Sequence, residues 1–222
     1  MRKKLDIEEE KKRVMAMYEI EHLCRKKGYK YIAGVDEAGR GPLAGPVCAA
    51  AVVLPDDIFI PGINDSKKIS EKKREELFDI ICEKAISYSI EYSDTEQIER
   101  ENILAATMDA MNRAINNLSV PVDYALIDGN RKSGIECECE TVVKGDSKSI
   151  SIAAASILAK VSRDRFIINA SKEYPEYGFE RNKGYGTAEH IAALEKYGMS
   201  PIHRKKFVTT ALETARRKRN NE

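Results

Sequence analysis

Apolar residues recur along the chain in two patterns, one typical of strands and one typical of helices. Short apolar or alternating runs predict strands at 31–36, 46–54, 85–92, 123–127 and 138–143. Apolar residues spaced three or four apart predict helices at 70–82, 103–118, 151–174, 187–197 and 211–219. Two strands come first, as in a hairpin, and strands then alternate with helices. This order predicts an α/β fold with a mixed central sheet flanked by helices and with extra helices at the C-terminal end.

The first 28 residues form a separate stretch in this pattern. They are rich in charge, and their few apolar positions lie near helical spacing, with Gly28 suited to a C-cap. We interpret 1–28 as an N-terminal helical extension attached to a main domain at 29–222, whose C-terminal helical region begins at about residue 187. A frayed N-terminal arm is the alternative interpretation of the same residues.

Composition adds an uneven distribution of charge to this picture. The chain has 222 residues, 42% of them hydrophobic, and 37 basic against 36 acidic residues give a net charge of +1. A chain of this size can bury a substantial core, and the near-neutral balance excludes a protein built throughout as a polycation. Seven basic and two acidic residues follow position 203, which leaves +5 in this segment and −4 elsewhere.

Cysteine usage and the N-terminal residues indicate the compartment. The five cysteines include no C-x-x-C pair and are expected to be reduced thiols. Cys137 and Cys139 stand two apart, but a zinc site would need two further ligands nearby. The N-terminal residues are charged where a signal peptide becomes apolar, and the longest apolar run is too short for a membrane span. We therefore expect a cytoplasmic protein without membrane contact. We also expect a monomer, since no exposed hydrophobic repeat in the sequence suggests assembly.

Acidic residues stand at the ends of three predicted strands. Asp36 and Glu37 close the first strand, Asp128 closes the fourth and Asp146 follows the fifth. If the strands of Asp36 and Asp128 are parallel neighbours, their carboxylates meet at one sheet edge and repel unless a cation joins them. Ligation by oxygen alone suits Mg²⁺ or Mn²⁺. Each acid also has a structural interpretation, such as a turn at Asp128 or a helix N-cap at Asp146.

The glycine-rich turn after the first strand permits a second interpretation. Residues 39–44 read Gly-Arg-Gly-Pro-Leu-Ala and fit the G-x-G-x-x-A fingerprint of dinucleotide-binding proteins. That fingerprint needs a helix next, whereas Pro42 and Pro46 bracket the loop and the following residues are rich in β-branched side chains. The sequence therefore disfavours a dinucleotide site.

Seven short motifs, in the same order, resemble those of the ribonuclease HII family. They are GVDEAGRGPLAGPV at 34–47, DSKK at 65–68, IDGN at 127–130, KGD at 144–146, SIAAASILAK at 151–160, GYGT at 184–187 and PIHR at 201–204. The resemblance implies a ribonuclease H-like fold and cleavage of RNA in RNA–DNA hybrids. It also implies nicking of duplex DNA on the 5′ side of single embedded ribonucleotides.

The resemblance further implies that the four acids are metal-site carboxylates. Asp36 would bridge two ions, with Glu37 and Asp128 completing one site and Asp146 the other, and the products would carry 5′-phosphate and 3′-hydroxyl ends. A non-catalytic nucleic-acid-binding module is the competing hypothesis. Bare carboxylates argue against it, because they repel phosphates.

The remaining motifs are interpreted as contacts to an RNA–DNA hybrid or to a DNA duplex containing ribonucleotides. The backbone of Gly39, Arg40 and Gly41 can approach a sugar closely and read its 2′-hydroxyl. Ser66 and Lys67 suit phosphate contacts, with a polar turn before a helix as the alternative. The remaining candidates each keep a structural alternative: Tyr185 as a core tyrosine, Lys160 as a solvated helix charge, and the basic C-terminal segment as a solvated helix face. Lys206 departs from the family, which usually has a small hydroxyl residue there.

Overall fold

The computed structural model describes residues 6–220 and shows an α/β fold. Its helices are α1 Ile7–Ala16, α2 Glu19–Lys26, α3 Glu71–Lys84, α4 Thr95–Glu101, α5 Ile103–Asn116, α6 Ile150–Ala170, α7 Phe179–Asn182, α8 Ala188–Tyr197 and α9 Lys205–Asn220. Its strands are β1 Ile32–Ala38, β2 Val47–Val53, β3 Ser87–Ser93, β4 Tyr124–Asp128 and β5 Cys139–Val142. Two 3-10 turns cover Gly145–Ser147 and Pro175–Tyr177. The predicted mixed sheet flanked by helices is confirmed.

The five strands form one sheet in the order β3-β2-β1-β4-β5. The β1–β2 and β2–β3 pairs are antiparallel, and the β1–β4 and β4–β5 pairs are parallel. The first two strands therefore form the expected hairpin, and the strands that carry Asp36 and Asp128 are parallel neighbours. This pairing is the condition under which their carboxylates meet at one edge.

Strand β1 occupies the centre of the sheet, and helix α6 crosses it at very short range. A Cβ atom at Gly34 would collide with the backbone of Ser151 and Ile152, so this crossing requires glycine on the strand. Helix α6 is rich in alanine and is buried on nearly all sides. Helix α5 covers the opposite face, where Ala33 and Val35 contribute to its core cluster. The period of two then turns Gly34 and Asp36 toward α6.

The N-terminal helices pack into the main core. Val14, Met17 and Tyr18 join the cluster formed by β2, α3 and α6, and the Met17 carbonyl accepts a 3.1 Å bond from the Ile150 amide. The sequence predicts one N-terminal helical extension, and the structure has two short helices there. Residues 1–5 of that predicted extension lie outside the described residues.

The C-terminal helices form a smaller cluster beside the sheet. It contains Leu43, Ile167, Phe179 and Val208, so the loop after β1, helix α6 and the C-terminal helices share one core. The predicted start of the last helix at 211 is wrong, because α9 begins at Lys205. The charged Lys205-Lys206 pair obscures the helical period in the sequence. Among residues 6–220, no helix is long and apolar enough to cross a membrane.

Candidate active site

Two carboxylates stand side by side where the parallel pairing of β1 with β4 ends. Strand β1 continues to Ala38 along β2, so the prediction that Asp36 and Glu37 close the first strand is wrong. Val35 of β1 pairs with Ile127 of β4, and the next residues are Asp36 and Asp128. Period-two alternation turns both acids toward α6, since Val35 and Ile127 lie in the cluster on the α5 side. Asp146 lies in the 3-10 turn that follows β5, the parallel neighbour of β4. The structure therefore brings the predicted acids to one end of the sheet.

Asp36 is the most buried of these acids, with 5% of its surface exposed. One carboxylate oxygen accepts a 2.7 Å hydrogen bond from the Glu37 amide. Burial, then the negative charges of Glu37 and Asp128, raise the pKa of Asp36 well above 3.8, although the nearby Ser156 hydroxyl opposes the shift. Holding Asp36 ionised here is costly without a cation.

Glu37 is subject to the same burial and the same neighbouring negative charge as Asp36, but it also has a positively charged neighbour, Arg40. Burial raises its pKa, the Arg40 guanidinium 3.4 Å away lowers it, and Asp128 raises it again. The net pKa of Glu37 is raised. Arg40 therefore serves the acidic site as well as the loop in which it is predicted to read substrate.

Asp146 is paired with an acid that the strand pattern does not single out. Burial, then Asp65 and Asp128, raise the pKa of Asp146. Burial alone would also raise the pKa of Asp65, but the Lys67 amide at 2.9 Å and a bond with Asp146 hold it below 3.8. The contact therefore acts on the two carboxyl groups in opposite directions, raising the pKa of Asp146 and lowering that of Asp65. The signal for Asp65 is its place in the DSKK motif.

Lys67 lies close to four aspartates on this side of the sheet, three of the predicted acids and Asp65. Burial would lower its pKa, but Asp36, Asp146, Asp65 and Asp128 together raise it. Its ammonium group is thus a counter-charge inside the acidic cluster, a position from which it can also meet a phosphate.

Ser66 is oriented differently from the exposed contact that the sequence predicts. Its side chain is buried, and its hydroxyl lies 2.9 Å from that of Ser156 on α6. Ser156 in turn lowers the pKa of Asp36. The hydroxyl of Ser66 therefore contacts Ser156, the residue that hydrogen-bonds to Asp36. A phosphate could contact Ser66 only through its backbone.

The donor set fits a hard divalent cation. Within residues 6–220, no three His, Cys, Asp or Glu side chains already surround a point that could hold a metal ion. The carboxylates supply oxygen alone, as Mg²⁺ and Mn²⁺ prefer. A cation would also offset the burial and the repulsion that raise the pKa values of Asp36 and Asp146. Asp36, Glu37, Asp128 and Asp146 are the residues that could hold it.

The glycine-rich loop after β1 is held by a buried guanidinium. Arg204 is 0% exposed and donates to the carbonyls of Gly39 at 2.6 Å, Arg40 at 3.0 Å, Pro42 at 3.0 Å and Gly45 at 2.9 Å. With these carbonyls turned inward, other backbone groups of the loop can face a substrate. Sequence reasoning missed this role, although Arg204 lies in the PIHR motif.

A second buried arginine joins this loop to the loop of Tyr185. Arg163 donates to the Ala44 carbonyl at 3.0 Å and to the Lys183 carbonyl. The Leu43 amide also donates a 2.8 Å bond to the Gly184 carbonyl. The two predicted substrate-contacting loops are therefore bonded to each other.

The ring of Tyr185 lies at the surface beside the glycine-rich loop. It is 45% exposed, which excludes the alternative of a core tyrosine. A Cβ at Gly41 would lie 3.7 Å from the ring carbon Cε1 of Tyr185, and Gly184 has a φ of +80°. Glycine is required at 184, where a Cβ would also lie 2.9 Å from the Ala44 carbonyl oxygen, and the ring stands in contact distance of the residues predicted to read a sugar.

The other predicted positions are less central. Lys160 makes a 2.8 Å ion pair with the buried Asp164 and is itself partly buried, which excludes the alternative of a fully solvated helix charge.

The basic C-terminal segment is partly paired within the protein, since Arg219 pairs with Glu195 at 3.1 Å. Cys137 and Cys139 keep free thiols, and the former precedes β5.

Comparison with known proteins identifies relatives over nearly the whole chain. The sequence model of the family described as Ribonuclease HII matches residues 33–210. Ribonuclease HII of Acetivibrio thermocellus is 55% identical over 206 residues, which cover 93% of this chain and 80% of that protein. Ribonuclease HII of Clostridioides difficile is 54% identical over 211 residues, covering 95% and 83%. The crystal structure of ribonuclease H2 from Pyrococcus horikoshii OT3 superimposes with a TM-score of 0.72 at 27% identity, covering 84% of this chain and 99% of that one.

Proposed function

The chain belongs to the ribonuclease HII family of endoribonucleases, which cleave RNA in RNA–DNA hybrids, and we propose that it does so at the carboxylate site with two divalent cations. The observation that carries this proposal is the pair Asp36–Asp128, adjacent at the point where the parallel pairing of β1 with β4 ends. A buried acid with a strongly raised pKa beside two further acids suits a site that is completed by cations.

The proposed roles of the four acids follow from their positions. Asp36, central and most buried, would be shared by the two cations, with Glu37 and Asp128 completing one site and Asp146 the other. Mg²⁺ or Mn²⁺, when bound, supplies water activation and charge neutralisation at the leaving oxygen. Asp36 and Asp128 each have one oxygen engaged by a backbone amide, from Glu37 and from Gly145, so their other oxygens remain for ligation.

Substrate recognition is proposed for the two bonded loops. The backbone of Gly39, Arg40 and Gly41 reads the 2′-hydroxyl of a ribonucleotide, and the ring of Tyr185 packs on the sugar that follows. The position of the Tyr185 ring beside Gly41 supports this division, since it places the ring next to the backbone groups that would read the first sugar. Lys67, with its raised pKa, stays charged and neutralises the phosphate between them.

This arrangement supports nicking of duplex DNA on the 5′ side of a single ribonucleotide. The loop needs a hydroxyl on one sugar, and the ring favours the absence of a hydroxyl on the next. A site whose polar groups are left unpaired without the hydroxyl discriminates strongly against DNA. The proposed products carry 5′-phosphate and 3′-hydroxyl ends.

A duplex with one embedded ribonucleotide tests the proposal. We expect cleavage 5′ of the ribonucleotide with Mg²⁺ or Mn²⁺, none with chelator, and a 5′ end that becomes ligatable to a 3′-hydroxyl without a kinase. An all-DNA duplex of the same sequence is the control. Binding without cleavage at any metal concentration would instead support a non-catalytic binding module.

A further inference from the structure

Two buried imidazoles outside the acidic site form a direct pair. His190 of α8 is 0% exposed and His203 before α9 is 3% exposed, and their Nε2 atoms lie 2.9 Å apart. The Phe179 ring meets His190 edge-on at 5.5 Å, and Tyr177 meets His203 at 4.7 Å. Their remaining ring nitrogens face Tyr185 and Ser200 rather than the carboxylates, so the pair needs another explanation than acid–base chemistry.

The hydrogen bonds around the pair fix the direction of every proton in it. The Ser200 amide can only donate, and it lies 2.9 Å from Nδ1 of His203; the Ser200 hydroxyl, which can donate as well as accept, lies 2.8 Å from the same nitrogen. Nδ1 is therefore an acceptor, and Nε2 of His203 carries the proton and donates to Nε2 of His190. Nδ1 of His190 then carries its proton and donates to the Tyr185 carbonyl at 2.9 Å.

Both rings must be neutral for this chain of bonds to close. An added proton on either ring would place two N–H groups against each other or remove an acceptor. Burial lowers the pKa of His190, and burial followed by the charge of His190 lowers the pKa of His203 to about 4. Glu189 is the charged side chain that acts on the pair, and it opposes the lowering at His190.

The chain of bonds ends on the backbone of Tyr185. The same carbonyl also accepts from the Thr187 amide at 2.8 Å, and the Tyr185 amide donates to Asn182 at 2.9 Å. The main chain at Tyr185 is thus held from inside the protein while its ring faces outward. We propose that His190 and His203 are positioning residues, which hold the ring of Tyr185 beside the glycine-rich loop through the bond from Nδ1 of His190.

This inference rests on the proposed function for its effect on activity. If the ring reads the sugar after a ribonucleotide, loss of the Nδ1 donor lets residues 184–186 shift and weakens cleavage at a single ribonucleotide. Cleavage of a uniform RNA–DNA hybrid changes less, because that substrate offers no deoxyribose for the ring. The carboxylates belong to β1, β4 and the turn after β5, and they are unaffected.

A matched pair of substitutions at residue 190 separates the donor from the bulk of the ring. In His190→Asn, the side-chain amide takes the place of Nδ1 and can still donate to the Tyr185 carbonyl. In His190→Gln, the amide reaches the place of Nε2 and the donor to Tyr185 is lost. We expect the ratio of kcat/KM on the single-ribonucleotide duplex to that on the uniform hybrid to fall roughly tenfold in His190→Gln, about the value of one hydrogen bond. His190→Asn should stay within roughly threefold of wild type.

Amide hydrogen exchange gives a readout that does not depend on activity. Exchange at Tyr185 and Thr187 should be faster in His190→Gln than in His190→Asn, with thermal unfolding confirming that both are folded. Equal ratios and equal exchange in the two variants would overturn the positioning role. Tyr185→Ala in the same assay tests the proposed function: if it cuts like wild type while exchange still differs, the positioning role stands and the proposed role of the ring fails.

A second pair decides the question if His190→Gln does not fold. His203→Gln keeps an amide at the place of Nε2, where it can donate to His190, and His203→Asn does not. Faster exchange at Tyr185 and Thr187 in His203→Asn than in His203→Gln is the expected result. The reverse order, or no difference, would contradict the proposal.

Discussion

The Asp128 carboxylate accepts a 2.7 Å hydrogen bond from the backbone amide of Gly145. Gly145 immediately precedes Asp146, so this bond ties the acid that ends β4 to the turn after β5. A Cβ at residue 145 would lie 3.2 Å from the Asp128 oxygen and 2.5 Å from Cδ1 of Ile152, which only glycine avoids. The spacing between two of the four carboxylates is therefore set largely by main-chain atoms.

Replacement of either central acid by asparagine should abolish cleavage without unfolding the protein. In Asp36→Asn and Asp128→Asn, an amide oxygen can still accept from the Glu37 or Gly145 backbone, but the carboxylate proposed to hold a cation is removed. We expect single-turnover cleavage in Mg²⁺ to fall at least about 100-fold. In chelator, the melting temperature of Asp36→Asn should hold or rise, because a buried charge that repels its neighbours is removed.

The matched control for these substitutions lies at the other end of β4. Asp123 accepts from the Tyr31 and Lys30 amides at 2.7 and 2.8 Å, which lower its pKa. Asp123→Asn should therefore keep wild-type cleavage. Near wild-type activity in Asp36→Asn or Asp128→Asn would refute the assignment of those acids.

The acidic edge can be predicted from the sequence because strands have a local signature. An apolar run that stops at an acid predicts that the acid lies near the end of a strand. The one further fact needed is that β1 and β4 are parallel neighbours, which the structure shows. The contact between Asp65 and Asp146 cannot be predicted in this way. It depends on where the loop before α3 folds back, which no local period encodes.

The buried arginine and the buried histidine pair could not be predicted from the sequence, for a different reason. A guanidinium such as that of Arg204 is expected at the surface, and nothing local shows that four carbonyls from residues 39–45 surround it. His190 and His203 are 13 residues apart, a spacing without a local meaning, and only the packing of α8 against α9 brings them together. Long-range pairing of polar groups is thus what the pattern of apolar residues does not encode.

Glu21 should be a stability determinant of the N-terminal helices. One oxygen of this buried carboxylate accepts from the Ser149 hydroxyl at 2.6 Å and from the Ser151 hydroxyl and amide at 2.5 and 3.1 Å, at the start of α6. Glu21→Ala leaves these donors unpaired and should lower the free energy of unfolding by about 2–4 kcal/mol in urea titrations. Glu21→Gln keeps the accepting oxygen and should cost less.

An exposed acid on the same helix provides the comparison for Glu21. Glu19→Ala should change the free energy of unfolding by less than about 0.5 kcal/mol. Equal losses for Glu19→Ala and Glu21→Ala would show that the bonds to Ser149 and Ser151 contribute nothing specific.

Arg204→Lys should loosen the glycine-rich loop although it conserves charge. One ammonium cannot reproduce the planar fork that donates to four carbonyls, so at least one buried acceptor loses its partner. We expect a decrease of about 1–3 kcal/mol in unfolding free energy and a larger fall in kcat/KM on a single-ribonucleotide duplex than on a uniform hybrid. Lys172→Arg, an exposed change on the surface, is the control. An equal fall in kcat/KM on both substrates would show that Arg204 contributes to stability but not to recognition of a single ribonucleotide.

The exposed basic residues near the end of α9 should contribute to binding through phosphates. Substitution of Arg216, Arg217 and Lys218 by glutamine is preferable to truncation, because Val208 of the same helix is fully buried in the core. The slope of log affinity against log salt should become shallower by about one unit for each phosphate that the variant no longer neutralises, with kcat little changed. The control removes three exposed charges from the N-terminal helices: Lys11, Lys12 and Lys26. An unchanged slope in the first variant would mean that this helix face is only solvated.

Tyr185 should decide how well a single ribonucleotide is cut. Its exposed ring stands next to Gly41, while its backbone is fixed by Asn182, Thr187 and His190. Tyr185→Ala removes the surface proposed to pack on the sugar after the ribonucleotide and should lower cleavage of a single-ribonucleotide duplex by about tenfold or more, taking as a guide the about 1–3 kcal/mol that an aromatic ring contributes by stacking on a base. Tyr185→Phe keeps the ring and should retain most activity if packing matters more than the phenol hydroxyl.

Calorimetry and unfolding measurements separate this role of Tyr185 from indirect effects. Metal binding to the variant proteins, titrated with Mn²⁺ in the absence of nucleic acid, should match wild type, because the ring belongs to the loop before α8 and not to the acidic edge. The unfolding temperature should change little, as a side chain that is 45% exposed contributes little to the core. The interpretation fails if Tyr185→Ala cuts the single-ribonucleotide duplex as fast as wild type, or if its lower activity is accompanied by unfolding at the assay temperature.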